Sequence, residues 1–375
     1  MKRLPGLDLL RAVAIVWVML FHSYLIGGLG PHWQWLERFG WMGVDLFFAL
    51  SGFLIGRQVL APLARGERLD FGDFYLRRAL RVLPALWVVL VLYLAFPTLR
   101  ERPGLEPWWK FVSFLYNVMA DYRNLAFSQV WSLCVEEHFY LLFPVLAVVL
   151  VPRLHARGFL TLCAALVLVG ILLRAGIWVA DNQVSALEAS TRNWFVEDLY
   201  YPTWCRSDGL LGGVMLAALQ VFHPDLWRRW QQRTNTVLVA GLMLVGLAMG
   251  LFSERTGLIG NAVGWPIVSA GMGLLVLAGA DRNSLISRLR VPGVSWLAQA
   301  SYSLYLTHKI AFGLVERAFG SVLEGHMLLA FIVYASATLA AGALLHYAVE
   351  RPGLRLRMHW QRSRTAVTVA PASSD

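Results

Sequence analysis

LDLLRAVAIVWVMLFHSYLI, residues 7–26, is long and apolar enough to cross a bilayer, and it carries Arg11 and His22 inside it. Eleven steps of about 100° bring a helix roughly 20° past three full turns, so His22 stands above Arg11 on one stripe, ~16 Å further along the axis. One of the two groups then lies near a membrane surface and the other nearer the midplane. An arginine in the bilayer core costs at least ~2.5–3.5 kcal/mol, so this stripe is expected to face a polar interior and not lipid.

Outward from that stretch the same composition continues. The chain has 375 residues, 58% of them hydrophobic and only 15% charged, with 16 Trp. That excludes a soluble enzyme with a large core and makes the chain an all-α polytopic membrane protein. Apolar windows give about ten transmembrane helices, near 9–29, 40–57, 80–97, 133–151, 159–180, 209–222, 236–252, 262–280, 297–316 and 327–349. With the N-terminus inside, 22 of the 33 Lys and Arg fall on inner segments, so both termini are expected in the cytoplasm. The net charge of +10 is then chiefly a topology signal and an affinity for anionic lipid, with no nucleic acid implied.

Residues 1–358 form the expected membrane domain, and 359–375, which lose hydrophobic periodicity, a disordered cytoplasmic tail. No cleavable signal pattern precedes the first span. Cys134, Cys163 and Cys205 have no zinc or disulfide spacing and read as core cysteines, so no metal is implied.

Depth singles out the polar candidates. His22 lies ~20 Å from the cytoplasmic edge of a ~30 Å core, Glu136 and Glu137 lie ~5–8 Å below the outer edge, Asp45 reaches a similar level, and His308 is ~16 Å up its span. Adjacent glutamates diverge by ~100°, so one of the pair faces the centre and the other pairs structurally or caps. Asp45 reads equally as a hydrogen-bonding partner or a catalytic group, and the Ser51-Gly52 step as a site of close helix packing. At the cytoplasmic surface Arg78 and Arg81, three residues apart with Arg77 beside them, form a fork suited to phosphate or to a positive-inside anchor. The aromatics Trp194, Tyr200, Tyr201 and Trp204 read either as a sugar platform or as an interfacial belt, and the run Trp108–Tyr122 as an interfacial helix.

Taken in order, several segments resemble the integral-membrane acyltransferases of the acyltransferase-3 type, the OafA-like O-acyltransferases. They are the Arg11-to-His22 element, GVDLFFALSGFLI, Arg78-x-x-Arg81 followed by Pro84, WSLCVEEHFY at 131–140, YPTWCRSDGLLGGVML around Arg206 and Asp208, and YSLYLTH ending in His308. The resemblance implies transfer of an acyl group from cytoplasmic acyl-CoA, with acetyl-CoA the expected donor, to a hydroxyl of a carbohydrate or glycolipid acceptor. It implies that Arg78 and Arg81, with Arg77, hold the donor and that Arg11 organises its entry. His22 would serve as general base, oriented by Glu136, Glu137 or Asp45. Tyr302, Tyr305 or His308 would donate to the oxyanion, and Tyr302, Tyr305, Arg206 and Asp208 are candidate substrate contacts. The expected location is the bacterial inner membrane, multi-pass.

An acyl-serine relay through Ser51, Ser132 or Ser303 would also serve, but no serine has an evident base at a fixed offset. Some members of the group carry an additional extracytoplasmic hydrolase-type domain; with the chain ending at Asp375, it is expected to act alone or to hand acyl groups to a separate partner. A competing reading is a proton-coupled transporter or flippase, in which the same buried groups would form a proton relay.

Overall fold

Each expected apolar window is helical in the computed structural model, which describes residues 4–30, 32–181 and 192–356. In chain order the helices are α1 (Pro5–Phe21), α2 (Gln34–Phe39), α3 (Met42–Ala64), α4 (Phe71–Ala95), α5 (Trp108–Val112), α6 (Val130–Asp181), α7 (Asp208–Phe222), α8 (Pro224–Gln232), α9 (Thr234–Leu251), α10 (Trp265–Gly279), α11 (Leu285–Arg288), α12 (Val294–Leu323) and α13 (Met327–Leu345). Among the described residues seven helices are long and apolar enough to cross a membrane, or eight if α7 and α8, bent by 108° at Pro224, count as one span. The protein is an all-α polytopic membrane protein. The tail expected at 359–375 lies outside the described residues.

Two elements differ from a simple series of ten spans. α6 has 52 residues, which as one rod would be ~78 Å long, far beyond a bilayer. His155, three residues after Pro152, breaks it with φ 55 and ψ 175, between the windows expected at 133–151 and 159–180. The run 108–122 is not one interfacial helix: it holds the five-residue α5 and a short turn at Tyr116–Val118, with Phe114 between them in the left-handed region at φ 58.

The chain divides into two compact units, residues 1–69 with 100–301, and residues 70–99 with 302–375. In the first, α3 and α7 form the most extensive helix pair. Glycines let them touch: a methyl group on Gly52 would stand 2.1 Å from the Leu210 carbonyl oxygen, and one on Gly213 2.3 Å from that of Ala49. Gly52→Ala is therefore expected to cost about 1–3 kcal/mol, read as earlier thermal unfolding in detergent. Gly246→Ala in α9, where a methyl would meet nothing within 4 Å, should leave the transition in place.

α1 packs on α3 in the same way: a methyl group on Gly43 would stand 2.6 Å from the Ala14 carbonyl oxygen and 2.9 Å from Val18 Cγ2. Ala14 and Val18 lie on the stripe that joins Arg11 to His22, so that stripe faces α3. Val13 and Val16, on the opposite side, are the large hydrophobic residues that α1 exposes. α1 starts with Pro5 in its first turn and ends in a tight turn, His22–Ile26, closed by Gly27 at φ 85.

In the second unit α4 is capped by Asp70, whose Oδ1 accepts from the Asp73 backbone N–H at 2.9 Å. Tyr302 on α12 donates to the Val82 carbonyl on α4 at 2.9 Å. Behind α13 a π-helical turn, His346–Glu350, places Glu350 to accept from Ser303 Oγ (2.6 Å) and His346 Nδ1 (2.9 Å) on the same carboxylate oxygen.

Candidate active site

In the first unit the last turn of α1 and the first turns of α3, α6, α7 and α10 meet at one end. Arg206, just before α7, is 1% exposed and donates from Nη2 to Asp45 Oδ1 at 2.9 Å and from Nη1 to the Tyr200 carbonyl at 3.3 Å. Its guanidinium lies over the rings of Trp265 (3.8 Å), Tyr200 (4.6 Å) and Trp131 (4.9 Å). Two residues on, Asp208 takes both terminal nitrogens of Arg174, at 2.7 and 3.1 Å. Arg174 is fully buried and also donates to the carbonyls of Asn261, Cys205 and Ala262. Both arginines are thus neutralised and hydrogen-bonded, as a low-dielectric interior requires.

The predicted base sits at the rim of this cluster. His22 Nδ1 is 2.9 Å from the Val18 carbonyl oxygen, which can only accept. Nδ1 therefore carries the proton, and in neutral imidazole the basic lone pair is on Nε2. The ring meets Phe21 edge-on at 5.0 Å and lies 6.0 Å from Tyr24. Glycines 27, 28 and 30, all at positive φ, turn the chain back, and Trp17 Nε1 ties α2 to α1 through the Leu36 carbonyl at 3.0 Å. Arg11 lies partly buried three turns below on the α3-facing stripe.

Glu136, near the start of α6, accepts from Ser51 Oγ at 2.6 Å, and since Ser51 has one proton, Tyr140 at 2.6 Å donates to Ser51 in turn. The carboxylate that no fixed offset could supply to Ser51 thus comes from another helix. Asp45, considered as an orienting group for His22, has its carboxylate on Arg206. Glu137 is partly buried. His138, next to it and not singled out in the sequence, has Nδ1 2.7 Å from Thr203 Oγ1, to which Asn117 Nδ2 also donates at 2.8 Å.

The remaining candidates belong to the second unit. His308 is fully buried, with Nδ1 2.8 Å from the Tyr305 carbonyl. Tyr305 is buried, and Tyr302 is engaged with Val82. Arg77 ion-pairs with Asp73, whereas Arg78 and Arg81 follow at one-turn spacing on the same face of α4, partly buried.

Around the first unit's end, the loop aromatics divide. Tyr200 and Tyr201 are buried, with Tyr201 stacked on Trp131 (5.4 Å, 8°), so they pack the core; Trp204 is 53% exposed. In the same loop Asp198 is pushed above the usual carboxylate range by burial, with Arg192 at 2.6 Å acting the other way. The three cysteines are free and buried.

A family model described as an acyltransferase domain matches residues 4–347. The chain is similar to the O-acetyltransferase OatA of Staphylococcus aureus, 26% identical over 328 residues, covering 82% of this chain and 50% of that protein. It is also similar to the peptidoglycan O-acetyltransferase OatA of Listeria monocytogenes, 24% identical over 341 residues, covering 82% of this chain and 49% of that protein. The chain thus spans about half the length of the curated relatives it matches. No solved structure matches it.

Proposed function

The chain belongs to the acyltransferase domain family, and on that premise we propose that it is a multi-pass O-acyltransferase of the bacterial inner membrane, with both termini in the cytoplasm. It moves an acetyl group from cytoplasmic acetyl-CoA to a hydroxyl of a cell-envelope glycan. The family match over nearly the whole chain carries the reaction class, and the acceptor class follows the activity for which the relatives are named.

His22 acts as general base: with Nδ1–H anchored on the Val18 carbonyl, Nε2 takes the proton of the acceptor hydroxyl as its oxygen attacks the thioester carbon. The C–S bond then breaks, the proton on Nε2 passes to the leaving sulfur, and coenzyme A departs as the thiol. Arg11 organises donor entry, and Glu137 is the carboxylate assigned to support the imidazolium. Asp45 and Glu136, held by Arg206 and Ser51, act as positioning groups that keep α3, α6 and α7 in register. Arg78 and Arg81 bind the donor's phosphates, a task suited to a pair of guanidiniums one turn apart.

The test is turnover of radiolabelled acetyl-CoA by purified, reconstituted protein with a crude cell-envelope glycan as acceptor. Label in the glycan supports the reading; neither label transfer nor release of free coenzyme A defeats it. Arg78→Ala with Arg81→Ala should raise KM for acetyl-CoA by about 10- to 100-fold at low salt, through the double loss of charge-assisted contacts, and by less at high salt, where those contacts are already screened in wild type. An unchanged KM would reduce the pair to a topology anchor.

A further inference from the structure

Three buried or half-buried arginines gather at the aromatic end of the first unit, and two of them are neutralised, Arg206 by Asp45 and Arg174 by Asp208. The third, Arg255, stands in the turn between α9 and α10. Among the described residues no carboxylate lies within 4.0 Å of its guanidinium and its N–H groups have no hydrogen-bond partner. The guanidinium faces four rings instead: Tyr200 at 4.9 Å, Phe21 at 5.1 Å, Trp41 at 5.5 Å and Phe195 at 5.8 Å.

The position is built, not incidental. Fully buried Asn261 donates from Nδ2 to the carbonyls of Arg255 and Gly257, each at 2.9 Å, and so fixes the turn. Rings attract a cation but leave its charge in place. Tyr200 is shared by two guanidiniums, Arg206 at 4.6 Å and Arg255 at 4.9 Å, and of the two only Arg206 has its carboxylate, Asp45. Rings accept no strong hydrogen bond, so the guanidinium keeps its N–H donors for bidentate contact with a carboxylate or phosphate. Phe21, one of the four rings, is the ring 5.0 Å from His22, so one side chain separates the guanidinium from the proposed base.

We infer that Arg255 is an anion-binding residue for the acceptor: it holds a carboxylate or phosphate carried by the glycan and thereby sets the sugar whose hydroxyl His22 deprotonates. The inference rests on the proposed acyl transfer. It makes the acceptor an anionic glycan, the charge coming from a sugar acid or from a phosphate-linked lipid carrier.

The experiment compares wild type, Arg255→Gln and Arg255→Lys, reconstituted, with labelled acetyl-CoA and three acceptors. These are a muramic-acid disaccharide, its methyl ester, and that ester linked to a prenyl diphosphate. Wild type is expected to prefer an anionic acceptor over the neutral ester by about 10- to 100-fold in kcat/KM, through KM, the range of one lost charge-assisted contact. The preferred acceptor identifies the source of the charge. Arg255→Gln should erase the preference, and Arg255→Lys, a charge without the fork, should keep part of it. Because the readout is a ratio within one protein, a general loss of folded enzyme does not imitate it; if the Gln variant fails to fold, the reduced ratio of the Lys variant decides. Equal use of anionic and neutral acceptors by wild type, or an undiminished preference in either variant, overturns the inference. Absence of transfer to every acceptor overturns the acyl-transfer reading and this inference with it.

Discussion

Arg174→Leu is expected to cost about 3–5 kcal/mol of stability, a large share of the whole for most proteins. The side chain is fully buried, and its removal leaves the Asp208 carboxylate and the carbonyls of Asn261, Cys205 and Ala262 facing an apolar replacement. These acceptors belong to α7, the turn before it and the turn into α10, so one residue of α6 joins three segments. Unfolding of detergent-solubilised protein, followed by temperature or denaturant, should shift well below wild type. Arg174→Lys should recover only part, since a lone ammonium cannot span both carboxylate oxygens. Adding Asp208→Leu to Arg174→Leu should restore part of the loss, because the uncompensated charge then goes with its partner. A double variant no better than the single one would show that the carbonyl contacts, not the ion pair, carry the cost.

His22→Ala should lower acetyl transfer by about 10²–10⁴-fold, the usual contribution of a positioned general base, with donor affinity retained. The informative companion is His22→Asn. An asparagine side-chain amide can donate to the Val18 carbonyl as Nδ1 does, yet offers no basic nitrogen, so it separates anchoring from proton transfer. Asn should be as inactive as Ala if His22 is the base. Recovery of transfer in the Asn variant would leave His22 a structural residue of the α1 terminus. Labelled transfer and coenzyme A release, measured side by side, check both outcomes.

The membrane class and the helix positions were legible because lipid imposes one rule on every span, a long apolar run with its backbone bonded internally. The Arg11–His22 stripe was legible for a similar reason, since helical spacing alone puts both residues on one face. Partnerships across helices were not. Asp45 finds Arg206 161 positions away, and Ser51 finds Glu136 85 positions away, distances set by packing and by no periodicity. Gly52 signalled close approach without naming α7 as its neighbour. Arg174 and Arg255 read only as charges within or outside a span, and what distinguishes them, a bidentate carboxylate for one and four rings for the other, depends on loops that no pattern encodes. The break at His155 and the positive φ at Phe114 are likewise local backbone choices, and a run of apolar residues does not announce them.

The Arg174–Asp208 pair also bears on how the chain enters the membrane. The two residues are 34 positions apart, so Arg174 leaves the ribosome first; it stands two turns inside the end of α6 and Asp208 opens α7, so each alone costs less than the ~2.5–3.5 kcal/mol of a charge at a span's centre but still burdens insertion. The second half of α6 is therefore a poor passenger until α7 arrives. Lateral release of the two helices as one neutral hairpin avoids exposing either charge to lipid, which makes their co-insertion a step of biogenesis and not only a contact in the finished protein.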